Sequence, residues 1–235
     1  MEGILNINKP EGFTSYDVIR VIKRNFDLKG KKIGHAGTLD PLAEGVLIIC
    51  IGRATKLAGK FMDFEKEYIA ELLLGVKTDT DDIEGEIIEK KEVNVDEEKV
   101  KEIIKSFEGE VKQVPPIVSA IKHKGKPLYK LYRKGVTVTP PPRKVFIKKI
   151  EILKIQIPYV EFRIICSKGT YIRALCRDIG EKLGTGGVQS KLKRVRVGPF
   201  RIEDSITLDE LKKKGLENSI IPLEKIARLL TNGKS

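Results

Sequence analysis

The chain has 235 residues, 40% hydrophobic and 33% charged, which excludes a disordered polymer and suits one large domain or two small ones. No apolar run approaches the roughly eighteen residues of a membrane span. Met1-Glu2-Gly3-Ile4-Leu5 lacks the basic and apolar regions of a secretory leader. Three cysteines without CxxC spacing (Cys50, Cys166, Cys176) argue against a disulfide framework or zinc knuckle, so a reducing cytoplasm is expected. Forty-five Lys and Arg against 33 Asp and Glu leave a net charge of +12. The excess is segregated: Asp79 to Glu110 holds thirteen acids and five bases, and Val111 to Ile150 eleven bases and no acid. A field of that kind points to a polyanionic partner more than to a thermophile-like mosaic of Lys and Glu.

Ile4 to Asn8 reads as a short strand, and Thr14 or Ser15 as the cap of a helix running to Phe26 with Val18, Ile19, Val21 and Ile22 on one face. Gly30 to Pro41 reads as a loop, Gly45 to Ile51 as a buried strand, Ala54 to Met62 as a short helix, and Lys66 to Leu74 as a strand ended by Gly75. A further strand is expected over Glu84 to Val93, and an amphipathic helix over Asp96 to Phe107 with Val100, Ile103, Ile104 and Phe107 inward. Residues 113–144 hold six prolines and are strongly basic. They read as an insertion with one short helix between Pro127 and Gly135. Val145 to Ile157 and Tyr159 to Cys166 read as paired strands, and Thr170 to Leu183 as a helix stopped by Gly184. Val188 to Val197 reads as a basic strand, with helices near Leu208 to Lys214 and Pro222 to Leu230 after it. The irregular interleaving predicts an α+β fold, a mixed, largely antiparallel sheet with flanking helices.

Familiar cofactor signatures are missing. There is no GxxxxGK(S/T) loop, no GxGxxG between a strand and a helix, and the two histidines, His35 and His123, are far apart. Asp79-Thr80-Asp81-Asp82 has Ile83 and Lys90 where a calcium loop needs ligands, so it reads as a structural turn. The segment that stands out is Gly34-His35-Ala36-Gly37-Thr38-Leu39-Asp40-Pro41. Its two glycines let backbone approach a ligand, with one His and one Asp five residues apart. Taken alone, it is equally a tight turn in which Asp40 caps the next segment.

Lys32 to Gly52 (KIGHAGTLDPLAEGVLIICIG) resembles the catalytic motif of the TruB family of tRNA pseudouridine synthases. So, in order, do Asn8-Lys9-Pro10 with Gly12, Thr14 and Ser15; Lys66-Glu67-Tyr68; Gly75 with Thr78 to Asp81; Pro115-Pro116 with Ser119-Ala120; and Ser167 to Arg173. The resemblance implies a pseudouridine synthase fold and isomerisation of uridine 55 in the T-loop of tRNA, with no cofactor and no metal. It implies that Asp40 is the catalytic aspartate, acting at C1′ or C2′ of the ribose, and that Arg173 pairs with it and keeps it ionised against burial. Tyr171 would take the C5 proton, its side chain on the same side as Arg173 if that segment is extended. Tyr68 would stack on the target base, His35 would act in base extrusion, and Leu192 would lie beside the uracil.

In the family the insertion folds over the RNA like a thumb. This makes Lys122, Lys124, Lys126, Lys130, Arg133 and Lys134 candidates for phosphate contacts, with Lys191 to Arg196 extending the track. The expected organisation is one catalytic domain over residues 1–235, with the insertion at about 113–144 and no complete C-terminal PUA domain. The expected partner is the tRNA T-arm, met by a monomer without membrane association. A non-catalytic RNA-binding protein on the same scaffold, or a synthase working on another RNA or within a guide-RNA complex, is the alternative. Asp40, Tyr68, Tyr171 and Arg173 together favour the tRNA enzyme.

Overall fold

The computed structural model describes residues 2–232. It is α+β, with a large, mostly antiparallel sheet and, among the described residues, seven α-helices. None of those helices is long and apolar enough to cross a membrane. The chain forms two units, one from residues 2–68 with 193–232 and one from 69–192. The strands Lys66–Leu74 and Gly187–Val197 each contribute residues to both.

In the first unit the strand Ala43–Ile51 is buried at eight of its nine positions, which is why it reads as an uninterrupted apolar run. It pairs antiparallel with Gly3–Lys9, from Gly3 opposite Ile51 to Lys9 opposite Gly45. The helix Ser15–Asn25 begins at a capping box, in which the Thr14 hydroxyl accepts from the Asp17 N–H and the Asp17 carboxylate accepts from the Thr14 N–H. It buries Val18, Ile19 and Ile22. The expected loop at 30–41 contains a strand, Ile33–Ala36, paired with Ile51 to Ile48. Its glycine and histidine hide the strand, and its partner lies twelve or more residues on. The expected helix over 54–62 opens instead as a 3₁₀ turn, Gly52–Leu57, before the α-helix Ala58–Met62. The Thr55 hydroxyl donates to the Gly52 carbonyl at 2.8 Å and favours the tighter turn. Ile4, Val46, Ile48, Phe61, Val197, Phe200 and Ile226 form the core, with the Phe61 and Phe200 rings edge to face at 5.8 Å. The C-terminal helix Leu223–Asn232 supplies Ile226.

In the second unit the hairpin Arg143–Gln156 with Tyr159–Cys166 is antiparallel, and Gly109–Gln113 adds to its edge. The helix Glu97–Lys105, capped by the Asp96 carboxylate, buries Val100, Ile103 and Ile104; Phe107 lies beyond its end. The helix Ile172–Leu183 stops at Gly184, whose φ of +76° is the left-handed conformation that ends helices. The strand expected over 84–93 shrinks to Ile87–Lys90, with Ile87 and Ile88 exposed. A side-chain turn consumes its first residues: the Asp82 carboxylate accepts from the Glu84 N–H and the Asp79 carboxylate from the Glu86 N–H. The basic insertion lies between the strands ending at Gln113 and starting at Arg143. It holds a small hairpin, Lys122–His123 with Lys126–Pro127, and the helix Leu128–Tyr132. Lys124 and Gly125, both at positive φ, make the hairpin turn. Buried Leu128 and a hydrogen bond from the Tyr132 hydroxyl to the Asp79 carboxylate tie the insertion down.

Candidate active site

In the first unit the strand Ile33–Ala36 delivers His35, and the turn after it delivers Asp40. Gly37 takes φ +90°, open to glycine without strain. Both neighbours of Asp40 are fixed. Leu39 is buried, and the buried Ser15 hydroxyl accepts from its N–H at 2.9 Å and donates to its carbonyl at 3.1 Å. The Pro41 carbonyl accepts from the Gly12 N–H at 2.8 Å and from the Lys9 ammonium at 3.5 Å. The Asp40 carbonyl accepts from the Ala43 N–H at 3.0 Å. Asp40 itself is half-buried.

Lys9 is fully buried and also donates to the carbonyls of Pro10 (2.9 Å) and Phe13 (2.6 Å). Burial pulls its pKa down to about 8, against the opposing charge of Asp40. His35 is half-buried, and its Nδ1 has no hydrogen-bond partner among the described residues. Burial, and then the charge of Arg194, lower its pKa, so the imidazole is neutral at pH 7. Tyr68 is buried at the inward phase of its strand. On the opposite phase Glu67 pairs with Arg196 at 2.9 Å, and Arg196 also pairs with Glu65 at 2.8 Å. Lys66 donates to the Phe64 carbonyl at 2.5 Å.

In the second unit Tyr171 is the N-cap of the helix Ile172–Leu183, held by an amide clamp. The Gln113 Oε1 accepts from the Tyr171 N–H at 2.8 Å and the Gln113 Nε2 donates to the Tyr171 carbonyl at 3.1 Å. Arg173 stands on the helix's first turn, so the expectation that it and Tyr171 share one side of an extended segment is corrected. It is buried, and donates to the carbonyls of Thr80 at 3.0 Å and Val118 at 2.9 Å, with Asp82 at 3.5 Å. One turn later Arg177 pairs with Asp81 at 2.8 Å and donates to the Val114 carbonyl at 2.8 Å. Burial pushes the Asp81 carboxyl up to about 6, against the pull of Arg177 and Arg173. The Asp79 to Asp82 turn is therefore the dock for two helix arginines. Sequence reasoning missed this role, although the i, i+4 spacing of Arg173 and Arg177 was its signal.

Leu192 is buried in the strand Gly187–Val197. Lys122, Lys124, Lys126, Lys130, Arg133 and Lys134 are all exposed, with Arg133 over the Tyr129 ring at 5.8 Å. The second basic stretch is different, and the expectation that it extends the phosphate track is corrected at Arg194, which is buried. Lys191 pairs with Glu71 at 3.4 Å and Lys193 with Glu44 at 3.3 Å, and Arg196 is held by Glu65 and Glu67. The structure thus gathers Asp40, His35, Lys9 and Arg194 in the first unit, and Tyr171, Arg173 and Asp82 in the second.

The chain matches the family model "TruB family pseudouridylate synthase (N terminal domain)" over residues 23–172 and "tRNA pseudouridylate synthase B C-terminal domain" over residues 173–228. The tRNA pseudouridine synthase B of Clostridium kluyveri is 50% identical over 96% of this chain and 77% of its own length. That of Thermotoga maritima is 48% identical over 95% and 72%. A solved Cbf5-Nop10-Gar1 complex is similar at a TM-score of 0.74 and 33% identity, over 97% of this chain and 62% of that one. An H/ACA RNP bound to a substrate RNA containing 2'-deoxyuridine is similar at 0.72 and 30%, over 97% and 61%. The chain thus spans about three-quarters of these curated relatives and about three-fifths of those solved chains.

Proposed function

The chain belongs to the TruB family of pseudouridine synthases, and from that premise we propose that it isomerises uridine 55 in the T-loop of tRNA to pseudouridine. What supports the substrate is identity of about half, over 95–96% of this chain, to enzymes named tRNA pseudouridine synthase B. The observation that carries the chemistry is Asp40, whose neighbours Leu39 and Pro41 are each tied down from other parts of the first unit. A carboxylate on a fixed turn is suited to meeting one ribose carbon repeatedly.

On this reading the target uridine leaves the stack and enters the site. Asp40 either attacks C1′ and displaces the uracil anion at N1, or removes the C2′ proton as that anion leaves, giving a glycal. The uracil turns and C5 bonds to C1′, as the bond from Asp40 to C1′ breaks or as C2′ takes its proton back; the C5 proton departs to a base, the role given to Tyr171, and N1 gains a proton. The product is an isomer, so no atom is gained or lost. Arg173 is the cationic partner assigned to Asp40. Tyr68 stacks on the base, Leu192 borders it, and His35 acts at extrusion as a neutral ring. The six basic residues of the insertion neutralise phosphates. Each contact made lowers log K by roughly 0.7 to 0.9 per decade of salt. The chain is read as one catalytic domain, cytoplasmic and monomeric.

Incubating the protein with a T-arm minihelix and mapping pseudouridine by mass spectrometry tests the assignment. One pseudouridine at position 55, and none in a minihelix carrying cytidine there, is expected. Modification at another position only, or none in the minihelix and in full-length tRNA, refutes it.

A further inference from the structure

Arg194 sits in a stretch of alternating basic residues, yet it is only 2% exposed. Its Nε donates to the Val46 carbonyl at 2.8 Å, its Nη1 to Thr38 at 3.3 Å and its Nη2 to Gly37 at 3.1 Å. Among the described residues these are the hydrogen bonds its side chain makes, and each ends on a backbone carbonyl. Burying a guanidinium without a carboxylate is costly unless its donors are well used. Here they are spent on two elements at once, the turn just before Asp40 and the strand just after it.

The backbone of Arg194 is pressed equally close. A Cβ added at Gly45 would lie 2.2 Å from the Arg194 carbonyl oxygen, and Gly45 takes φ +110°. The side chain therefore starts from a fixed point and spreads a rigid plane of donors across the turn. A lysine at this place presents its donors from a single nitrogen rather than from a planar fork, so it does not reproduce the spread donor positions that meet Val46, Thr38 and Gly37 here.

We infer that Arg194 is a positioning residue for Asp40: its guanidinium locks the turn 37–39 onto the strand Ala43–Ile51 and so sets where the Asp40 carboxylate stands. It acts with Ser15 on Leu39 and Lys9 on Pro41, so each residue beside Asp40 and the turn leading to it has its own tether. The inference rests on reading Asp40 as the reacting carboxylate. Misplacing a reacting group by about 1 Å can cost roughly a hundredfold in rate.

The test is Arg194→Lys, which keeps the charge and removes the fork, with Gly37→Ala as a second variant. Gly37→Ala leaves Arg194 intact but strains the same turn at its left-handed φ. For each, hydrogen exchange is measured across the chain, together with single-turnover pseudouridine formation and Kd on the T-arm minihelix. The expected result for both is at least tenfold faster exchange confined to residues 37–42, a single-turnover rate at least thirtyfold lower, and an RNA Kd within threefold of the parent. Wild-type exchange at 37–42, exchange raised evenly over the unit, or a rate falling only as Kd rises overturns the inference. If Arg194→Lys does not fold, Gly37→Ala showing faster exchange at 37–42 with a wild-type rate overturns it, because the turn then moves at no cost to the chemistry. A parent protein that makes no pseudouridine defeats the proposed function, whereas the exchange pattern still decides whether Arg194 holds the turn.

Discussion

Lys9 links the stability of the first unit to pH in a direction opposite to most surface lysines. It is fully buried, and its ammonium serves three carbonyls around the Asp40 turn. Burial lowers its pKa from 10.5 to about 8, with Asp40 pulling the other way. The unfolded chain therefore binds this proton more tightly than the folded one. Below about pH 8 folding carries the whole cost of keeping a buried ammonium. Between about 8 and 10.5 the folded state loses its proton while the unfolded state still holds it, so the Lys9 contribution rises with pH. At 1.36 kcal/mol per pH unit the gap is worth about 3 kcal/mol in full and about 1 kcal/mol by pH 9. Urea unfolding of the parent and of Lys9→Met at pH 7, 8, 9 and 10.5 isolates the term, because other titrating groups are common to both. The stability difference must move toward the parent by about 3 kcal/mol across that window. A difference that stays flat, or moves toward the variant as pH rises, refutes the assignment of a buried, charged Lys9.

Three further outcomes rest on named contacts. Gln113→Leu removes both hydrogen bonds to the Tyr171 backbone and should cost about 2 kcal/mol in urea unfolding; no loss would show that the clamp is not formed. Asp82→Asn takes the negative charge from beside buried Arg173 and should lower single-turnover pseudouridine formation about tenfold with RNA binding unchanged, so a wild-type rate would separate Asp82 from the chemistry. Replacing Lys122, Lys124 and Lys126 together with Gln should reduce the magnitude of the salt slope of tRNA binding by about 2 to 3, and an unchanged slope would place the insertion away from phosphate.

How legible each element was in the sequence depends on the range of the interactions behind it. Local rules succeed where the cause is local. The Thr14 cap, the Asp96 start and the Gly184 stop all lie within four residues of the structure they explain. The strand Lys66–Leu74 was legible as an element, but the strict alternation of its burial was not, because Lys66 stands on the buried phase and Ile69 and Leu73 on the other. Ile33–Ala36 is not legible locally because its cause is a partner strand, and a four-residue segment with Gly34 and His35 has no periodicity to show.

The candidate site divides in the same way. Asp40, Tyr68, Tyr171 and Arg173 were legible through ordered motifs. The roles of their supports were not, because Ser15 reaches Leu39 across 24 residues, Gln113 reaches Tyr171 across 58, and Arg173 reaches Thr80 across 93. Arg194 misled most. Among Lys191, Lys193 and Arg196 it looked like one more phosphate ligand, since arginine is seldom fully buried. Only its carbonyl contacts, 148 to 157 residues away in the chain, show its role.

The most direct test of the central claim is Asp40→Asn, nearly isosteric and placed on a turn whose tethers are backbone contacts untouched by the change. On a T-arm minihelix under single-turnover conditions the account requires no detectable pseudouridine, with an RNA Kd within threefold of the parent. Product forming at a tenth of the parent rate or faster would contradict it.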